Sequence, residues 1–251
     1  MDYKKGVILV LLLFTALLEL SIMLTSKHKQ INVFQEKHKK MQHHALYHVS
    51  IKEKLIAFTF DDGPHPVYTR KILKILDKYH AKGTFFITGQ RAQTYSSIVR
   101  EMNEQGHEIG NHTFSHPSMR KITSLQLQEE IQKTDDIIHS LTGDYPIFFR
   151  PPGGVQNTVV RDAAKKKNHI IVIWSKHQDT KDWSNPGIEK MVKQVTQHAQ
   201  PGQIVLMHDS GFNRTQTVKA LEKILAILSK KGYKFVTVSE LLHQSVKEST
   251  Q

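Results

Sequence analysis

The sequence predicts one α/β domain, built as a parallel sheet, closed or nearly closed, with helices packed outside it. Three observations carry this. From Leu55 to beyond Ser239, strand-like and helix-like patterns alternate about seven times. Residues that carry chemistry follow the strand patterns, where the C-terminal ends of parallel strands would share one face. No internal repeat or second domain boundary interrupts this run of about 190 residues, which is close to barrel size. An open, doubly wound sheet is the other arrangement that the same units allow.

In chain order, Lys4 and Lys5 precede an apolar run over residues 7–24, broken by Glu19 and a few small polar residues. A positive segment before such a run is a secretory signal or a membrane anchor. No small-x-small cleavage site follows at Thr25-Ser26-Lys27, so residues 1–25 are expected to be an uncleaved N-terminal membrane-anchor helix. The catalytic part is then expected outside the cytoplasm, at the cell membrane, or secreted if the segment is cleaved. Residues 26–50 are rich in Lys, His and Gln with little apolar periodicity, and are expected to form a stem.

Leu55–Phe60 is the first strand, and Tyr68–His80 carries a helical stripe at Ile72, Leu73, Ile75, Leu76 and Tyr79. Thr84–Ile87 is a strand, about 94–105 a helix ended by Gly106, and His107–Gly110 a short strand. Thr123–Leu141 is a long helix opened by the capping-box pattern Thr123-x-x-Gln126 and closed by Gly143. Ile147–Phe149, Ile170–Trp174, Gln203–Met207 and Lys234–Val238 are the remaining strands. Thr158–Lys167, Ile188–Ala199 and Thr215–Lys230 are helices, and a last helix starts at Ser239.

The strand ends hold the unusual residues. Leu55–Phe60 runs into Asp61-Asp62-Gly63-Pro64, where a turn frees two adjacent carboxylates from strand alternation. Side by side they repel, and so ask for a cation or a shared proton. An Asp-Gly turn with a helix-capping acid is the plain alternative. Asn111-His112-Thr113-Phe114-Ser115-His116-Pro117 follows the third strand. His112 and His116 are four apart, within reach of one ion if the segment forms a turn. With an aspartate from a neighbouring loop, two histidines make a recurring catalytic metal arrangement with open positions. Arg150-Pro151-Pro152-Gly153-Gly154, Asp179-Thr180-Lys181-Asp182-Trp183 and His208-Asp209 end three further strands.

Composition narrows the setting. The 251 residues contain no cysteine, which excludes disulfides and thiolate ligands. With 35 Lys+Arg against 23 Asp+Glu, the formal charge is +12, suited to an anionic membrane, nucleic acid or cell-wall polymer. No nucleic-acid-binding motif accompanies that charge, so no nucleic acid is expected as a partner.

Taken together, Thr59-Phe60-Asp61-Asp62-Gly63-Pro64, His112-Thr-Phe-Ser-His116, Arg150-Pro-Pro-Gly153, Asp179-Thr-Lys-Asp182-Trp183 and Leu206-Met-His208 resemble the NodB-homology polysaccharide deacetylases, carbohydrate esterase family 4. Gly83-Thr-Phe-Phe86 and Gly106–Asn111 are similar to that family's framework, and the likeness covers about residues 52–243. The resemblance implies a distorted (β/α) barrel of about seven parallel strands, hydrolysing acetyl groups on carbohydrate polymers. It implies a divalent metal on Asp62, His112 and His116, zinc first, cobalt or manganese otherwise. It implies Asp61 as general base braced by Arg150, and His208 as general acid oriented by Asp182. Trp183 and Leu206 would wall the acetate pocket, and the Gly153 N–H would face the oxyanion. Gly153 departs from the family pattern, in which an aromatic residue is usual.

The sequence therefore predicts a catalytic domain over 51–245 with a tail over 246–251. Its expected reaction is N-deacetylation of N-acetylglucosamine units in peptidoglycan or a chitin-like polymer. An O-acetyl (xylan-type) esterase and a catalytically silent carbohydrate-binding domain are the rival readings.

Overall fold

A computed structural model describes residues 44–249. Seven parallel strands form the sheet: β1 (Leu55–Asp61), β2 (Gly83–Ile87), β3 (Glu108–Asn111), β4 (Phe148–Phe149), β5 (Ile170–Ile171), β6 (Ile204–His208) and β7 (Lys234–Phe235). Their order is β5-β4-β3-β2-β1-β6, with β7 paired to the start of β1. The helices are α1 (Tyr68–Lys78), α2 (Gly89–Thr94), α3 (Ser96–Glu104), α4 (Ser124–Thr142), α5 (Thr158–Lys166), α6 (Ile188–Gln197), α7 (Thr215–Lys230) and α8 (Val238–Ser249).

The ring is completed without a regular ladder. After β5 the chain reaches β6 through an isolated pairing of Asp179 with Leu206, and Ser175 N donates to Ile204 O at 2.9 Å. Leu46 inserts beside Val172, donating to Ile171 O at 2.7 Å and accepting from Ile173 N at 2.8 Å. The result is a distorted, incompletely closed parallel (β/α) barrel. Residues 46–49, expected within a stem, thus contribute two buried side chains, Leu46 and Val49, to the core.

Strand alternation sorts the sheet into two faces. Phe58, Phe60, Phe85, Ile87, Val205 and Met207 point outward to helices α1, α3, α6 and α7. Leu55, Ala57, Phe86, Phe148, Ile170, Val172 and Ile204 point inward, where Val238, Leu241 and Leu242 of α8 join them. A third cluster packs α4 and α5 on the other side through Leu127, Ile131, Phe149, Val160, Ala163 and Ile171. Each fully buried aromatic or aliphatic side chain here contributes roughly 1.5–3 kcal/mol of burial. The inward face of β1 changes character along its length, from Leu55 and Ala57 to Thr59 and Asp61. One end of the barrel is therefore apolar and the other carries the polar residues.

Several expected boundaries move. The helix expected over about 94–105 is α3, Ser96–Glu104, and a further short helix that was not expected, α2, precedes it, the two separated at Tyr95 (ψ 43°). The third strand sits one residue later than expected, at Glu108–Asn111. Three expected strands keep only two residues each of regular pairing, β4, β5 and β7, because the neighbouring chain closes onto them irregularly. The capping box at Thr123 and Gln126 is present, and Gly143 ends α4 in a left-handed conformation (φ 86°).

One expectation is corrected. A single-pass membrane protein was predicted, but among the described residues no helix is long and apolar enough to cross a membrane. The apolar run over 7–24, to which the anchor is assigned, lies outside the described residues.

Candidate active site

The sequence-predicted polar residues meet at the C-terminal ends of β1, β3, β4 and β6. Asp61, the last residue of β1, is 3 % exposed and accepts a hydrogen bond at 2.7 Å from Arg150 Nη1. Arg150 follows β4 and is wholly buried. Its Nη1 also donates to Thr59 Oγ1 at 2.8 Å and its Nε to Val172 O at 3.0 Å, while its guanidinium lies 4.1 Å over the Phe86 ring. Thr59 and Asp61 share one strand face, so one guanidinium spans both. The charge-assisted bond aims Asp61 and balances Arg150 where water does not.

Asp62 turns out of the strand at φ 74°. Its Oδ1 lies 3.4 Å from His112 Nε2 and 3.4 Å from His116 Nε2. One donor atom from each of the three residues falls within 4.8 Å of the others. His112 Nδ1 bonds the Arg150 carbonyl oxygen at 2.6 Å, which makes Nδ1 the protonated nitrogen and leaves the Nε2 lone pair facing Asp62. The electrostatics agree. Burial disfavours a charged His112, yet the neighbouring Asp61 and Asp62 carboxylates raise its pKa, so the pocket attracts positive charge. Burial, assisted by His112, lowers the pKa of His116 and keeps its lone pair free. This donor set, two imidazoles and a carboxylate, suits a divalent metal ion.

The His112–His116 segment is a shaped loop and not a helical turn, with positive φ at Thr113 (69°) and His116 (56°). A β-branched residue pays for that conformation only where its surroundings enforce it. Thr113 N donates to Asn111 Oδ1 at 2.7 Å, and His116 N to Thr113 Oγ1 at 3.2 Å. Glu130 of α4 accepts from Phe114 N at 2.8 Å, Ser115 N at 2.7 Å and Ser115 Oγ at 2.8 Å. Behind the loop, Asn111 Nδ2 donates to Asp135 Oδ1 at 2.7 Å, and Asp135 Oδ2 meets His169 Nε2 at 2.9 Å.

His208 ends β6, in register with Asp61 on β1. Its Nδ1 lies 2.7 Å from Asp182 Oδ1, and its backbone N–H donates to Asp182 Oδ2 at 2.9 Å. Thr217 Oγ1 also donates to Asp182 Oδ2, at 2.9 Å, so the carboxylate is held from two elements. Burial alone would lower the His208 pKa. The hydrogen bond and charge of Asp182, helped by Asp61 and Asp62, outweigh it and raise the pKa to about 9. Asp182 is itself shifted down: burial opposes that shift, and the His208 hydrogen bond and charge drive it.

Leu206 is buried on the inward face of β6, two residues before His208. Trp183 stands 55 % exposed in the short turn Asp182–Ser184. Gly153 is exposed at φ 64°, and a Cβ there would meet nothing within 4 Å. The space is open to an aromatic side chain, but the backbone conformation favours glycine.

Sequence reasoning named Thr59, Asn111 and Asp209 within motifs but gave them no role, and it passed over Glu130, Asp135 and Thr217. Thr59 was findable from its i, i+2 relation to Asp61. Glu130 and Asp135 lie on a helix face with no sequence mark of what they meet. Asp209 is buried, its Oδ2 bonded to Thr69 Oγ1 at 2.5 Å. Burial, with the nearby Asp62 charge, pushes its pKa up to about 7 against the opposing Thr69 bond.

Known proteins with this arrangement place the chain. The family model described as polysaccharide deacetylase matches residues 48–172. A peptidoglycan-N-acetylglucosamine deacetylase of Bacillus cereus is 45% identical over 199 residues, covering 79% of this chain and 93% of that protein. The crystal structure of the Bc1960 peptidoglycan N-acetylglucosamine deacetylase superposes with a TM-score of 0.75 at 35% identity, over 78% of this chain and 92% of that one. A family 4 acetyl xylan esterase from Clostridium thermocellum, solved with a cobalt ion, superposes at 0.68 and 35% identity, over 75% and 90%. Identity and coverage of that degree show that the chain belongs to the polysaccharide deacetylase family of hydrolases.

Proposed function

We propose that this enzyme is a metal-dependent deacetylase that removes N-acetyl groups from N-acetylglucosamine residues of peptidoglycan and releases acetate. The observation that carries the proposal is the meeting, at one barrel end, of a metal-suited Asp-His-His set with two differently tuned carboxylate pairs, Asp61–Arg150 and His208–Asp182. Relatives whose names specify peptidoglycan N-acetylglucosamine support the substrate, as does the basic net charge.

Asp62, His112 and His116 hold the ion, which we take to be zinc, with cobalt or manganese as substitutes. When bound, it polarises the acetyl carbonyl and acidifies the attacking water. Asp61 is the general base: Arg150 fixes its Oδ1, leaving Oδ2 to take the proton. The Gly153 N–H assists in holding the oxyanion. His208 enters the reaction protonated and passes its proton to the departing amine, with Asp182 holding the imidazole in place. Leu206 and Trp183 wall the acetate pocket. The catalytic domain, expected over 51–245 with a tail over 246–251, is assigned to 46–249, because Leu46 and Val49 pack in its core and α8 runs to Ser249.

The test is acetate release from peptidoglycan and from N-acetylglucosamine oligomers by the full chain, stripped with chelator and then reloaded with zinc, cobalt or manganese. Activity should disappear with the metal and return on reloading. Asp61→Asn should cut turnover by about 10²-fold or more while metal still binds. Full activity in that variant sinks the assignment of the base. An acetyl xylan esterase shares this architecture. Acetate released faster from acetylated xylan than from either amide substrate would move the assignment to ester hydrolysis.

A further inference from the structure

A groove lies beside the candidate active site between the loops that follow β1 and β6 and helix α2, lined by His65, Tyr68, Arg91, Ser210, Phe212 and Asn213. It adjoins the metal-suited cluster through Gly211, one of its lining residues. A Cβ added at Gly211 would lie 3.4 Å from Asp62 Oδ2. Arg91 Nε donates to the carbonyl oxygen of Pro64, two residues beyond Asp62, at 2.9 Å, and the guanidinium lies 5.4 Å from the Tyr95 ring centroid. Those contacts hold the head group in place. Yet among the described residues Arg91 makes no ion pair, in contrast to Arg70 and Arg150.

The rest of the groove is suited to a sugar. His65 and Tyr68 stack at 4.7 Å, and Tyr68 Oη donates to Asn213 Oδ1 at 3.2 Å. His65 Nδ1 accepts from the backbone N–H of Val67 at 3.1 Å and of Tyr68 at 3.3 Å, so the ring proton sits on Nε2 and is a donor. Phe212 is 74 % exposed, an apolar face on the rim against which a pyranose can lie. Asp209 feels the charge of Arg91 but stands outside ion-pair distance, so the pre-positioned guanidinium is left to match a carboxylate from a ligand, which it can engage through two parallel N–H donors.

We infer that this groove receives the sugar next to the one being deacetylated, and that Arg91 recognises a carboxylate on that sugar's substituent. The inference rests on the proposed reading of the site and narrows its substrate. In peptidoglycan the neighbour of N-acetylglucosamine is N-acetylmuramic acid, whose lactyl arm ends in a carboxylate or continues into an acidic peptide. Chitin has neither. Arg91 thereby acts as a specificity-determining residue that separates wall polymer from neutral N-acetylglucosamine polymer.

The experiment is binding by calorimetry to the metal-loaded full chain, which needs no turnover. The ligands are the N-acetylglucosaminyl–N-acetylmuramic acid disaccharide and the same disaccharide carrying a dipeptide with free carboxylates, each against its methyl ester. Wild type should bind at least one acid about tenfold more tightly than its ester, the worth of one charge-assisted contact. The better of the two acids identifies which carboxylate is read. In Arg91→Leu the acid-to-ester ratio should fall to about one, and Arg91→Lys should keep part of it. Equal binding of acids and esters by wild type overturns the assignment even if the leucine variant fails to fold. So does an acid preference that survives in a folded Arg91→Leu. Loss of acetate release with the acid preference intact would instead overturn the deacetylase reading and leave the groove assignment standing.

Discussion

His208 has the most directly testable chemistry of any single residue here. Its pKa is raised to about 9, so it is protonated, and able to donate, at every pH below that value. Activity should therefore fall as pH rises through about 9. Asp182→Asn removes the charge that raises the pKa, and the alkaline limb of kcat/KM should move down toward about 6.5, the ordinary histidine value. A pH profile measured on both proteins checks this, and an unmoved limb would show that another group sets it. Gly63 tests a steric constraint at the same scale. A Cβ there would stand 2.3 Å from Asp209 Oδ2, a buried atom held by Thr69. Gly63→Ala should cost about 1–3 kcal/mol of stability, read by denaturant unfolding, with a parallel loss of activity as Asp62 is displaced.

At the scale of elements, helix α4 positions the His112–His116 loop as much as the loop's own residues do. Glu130 takes three hydrogen bonds from Phe114 and Ser115, and Asp135 anchors Asn111 just ahead of His112. Neither touches the metal-suited donors. Glu130→Ala should keep the fold and weaken metal binding about tenfold or more, followed by cobalt titration in the visible spectrum. Unchanged cobalt affinity would limit Glu130 to a structural role. The loop also shows where sequence reading stops. The spacing of His112 and His116 is visible in the chain, but helical geometry is not what joins them. Positive φ at Thr113 and His116, imposed by contacts with Asn111 and α4, brings both Nε2 atoms to one oxygen of Asp62. The Glu130 contacts come from 16 and 15 positions away, which no local pattern encodes.

Across the whole molecule, metal and fold should be linked. The three donors come from β1 and from the loop after β3, so an ion bound there ties two elements together and favours the folded state by mass action. At a free concentration of about 100 times Kd the gain is about 2.7 kcal/mol, or roughly 5–10 °C in Tm for a domain of this size. Differential scanning calorimetry with and without chelator measures it, and Asp62→Asn should remove the difference. The barrel's closure belongs to the same scale. Residues 46–49 and 175–180 complete the ring through isolated pairings with no β-pattern of their own. A stretch such as Leu46–Val49 therefore reads as stem in the sequence and becomes core only when the sheet curls around it.

By itself the sequence determined the alternation of strands and helices and the delivery of Asp61, Asp62, His112, Arg150, Asp182 and His208 to strand ends. These follow from short apolar runs, helical periodicity and turn residues, all of which act over a few positions. Only the tertiary structure decided the partners: Arg150 with Thr59 and Asp61, Glu130 and Asp135 behind the histidine loop, Thr217 on Asp182, and Arg91 left without an acid beside the site. Hydrogen bonds and ion pairs depend on distance in space, and a curled, irregularly closed sheet sets those distances between residues far apart in the chain, 91 positions for Arg150 and Thr59 and 140 for Thr69 and Asp209.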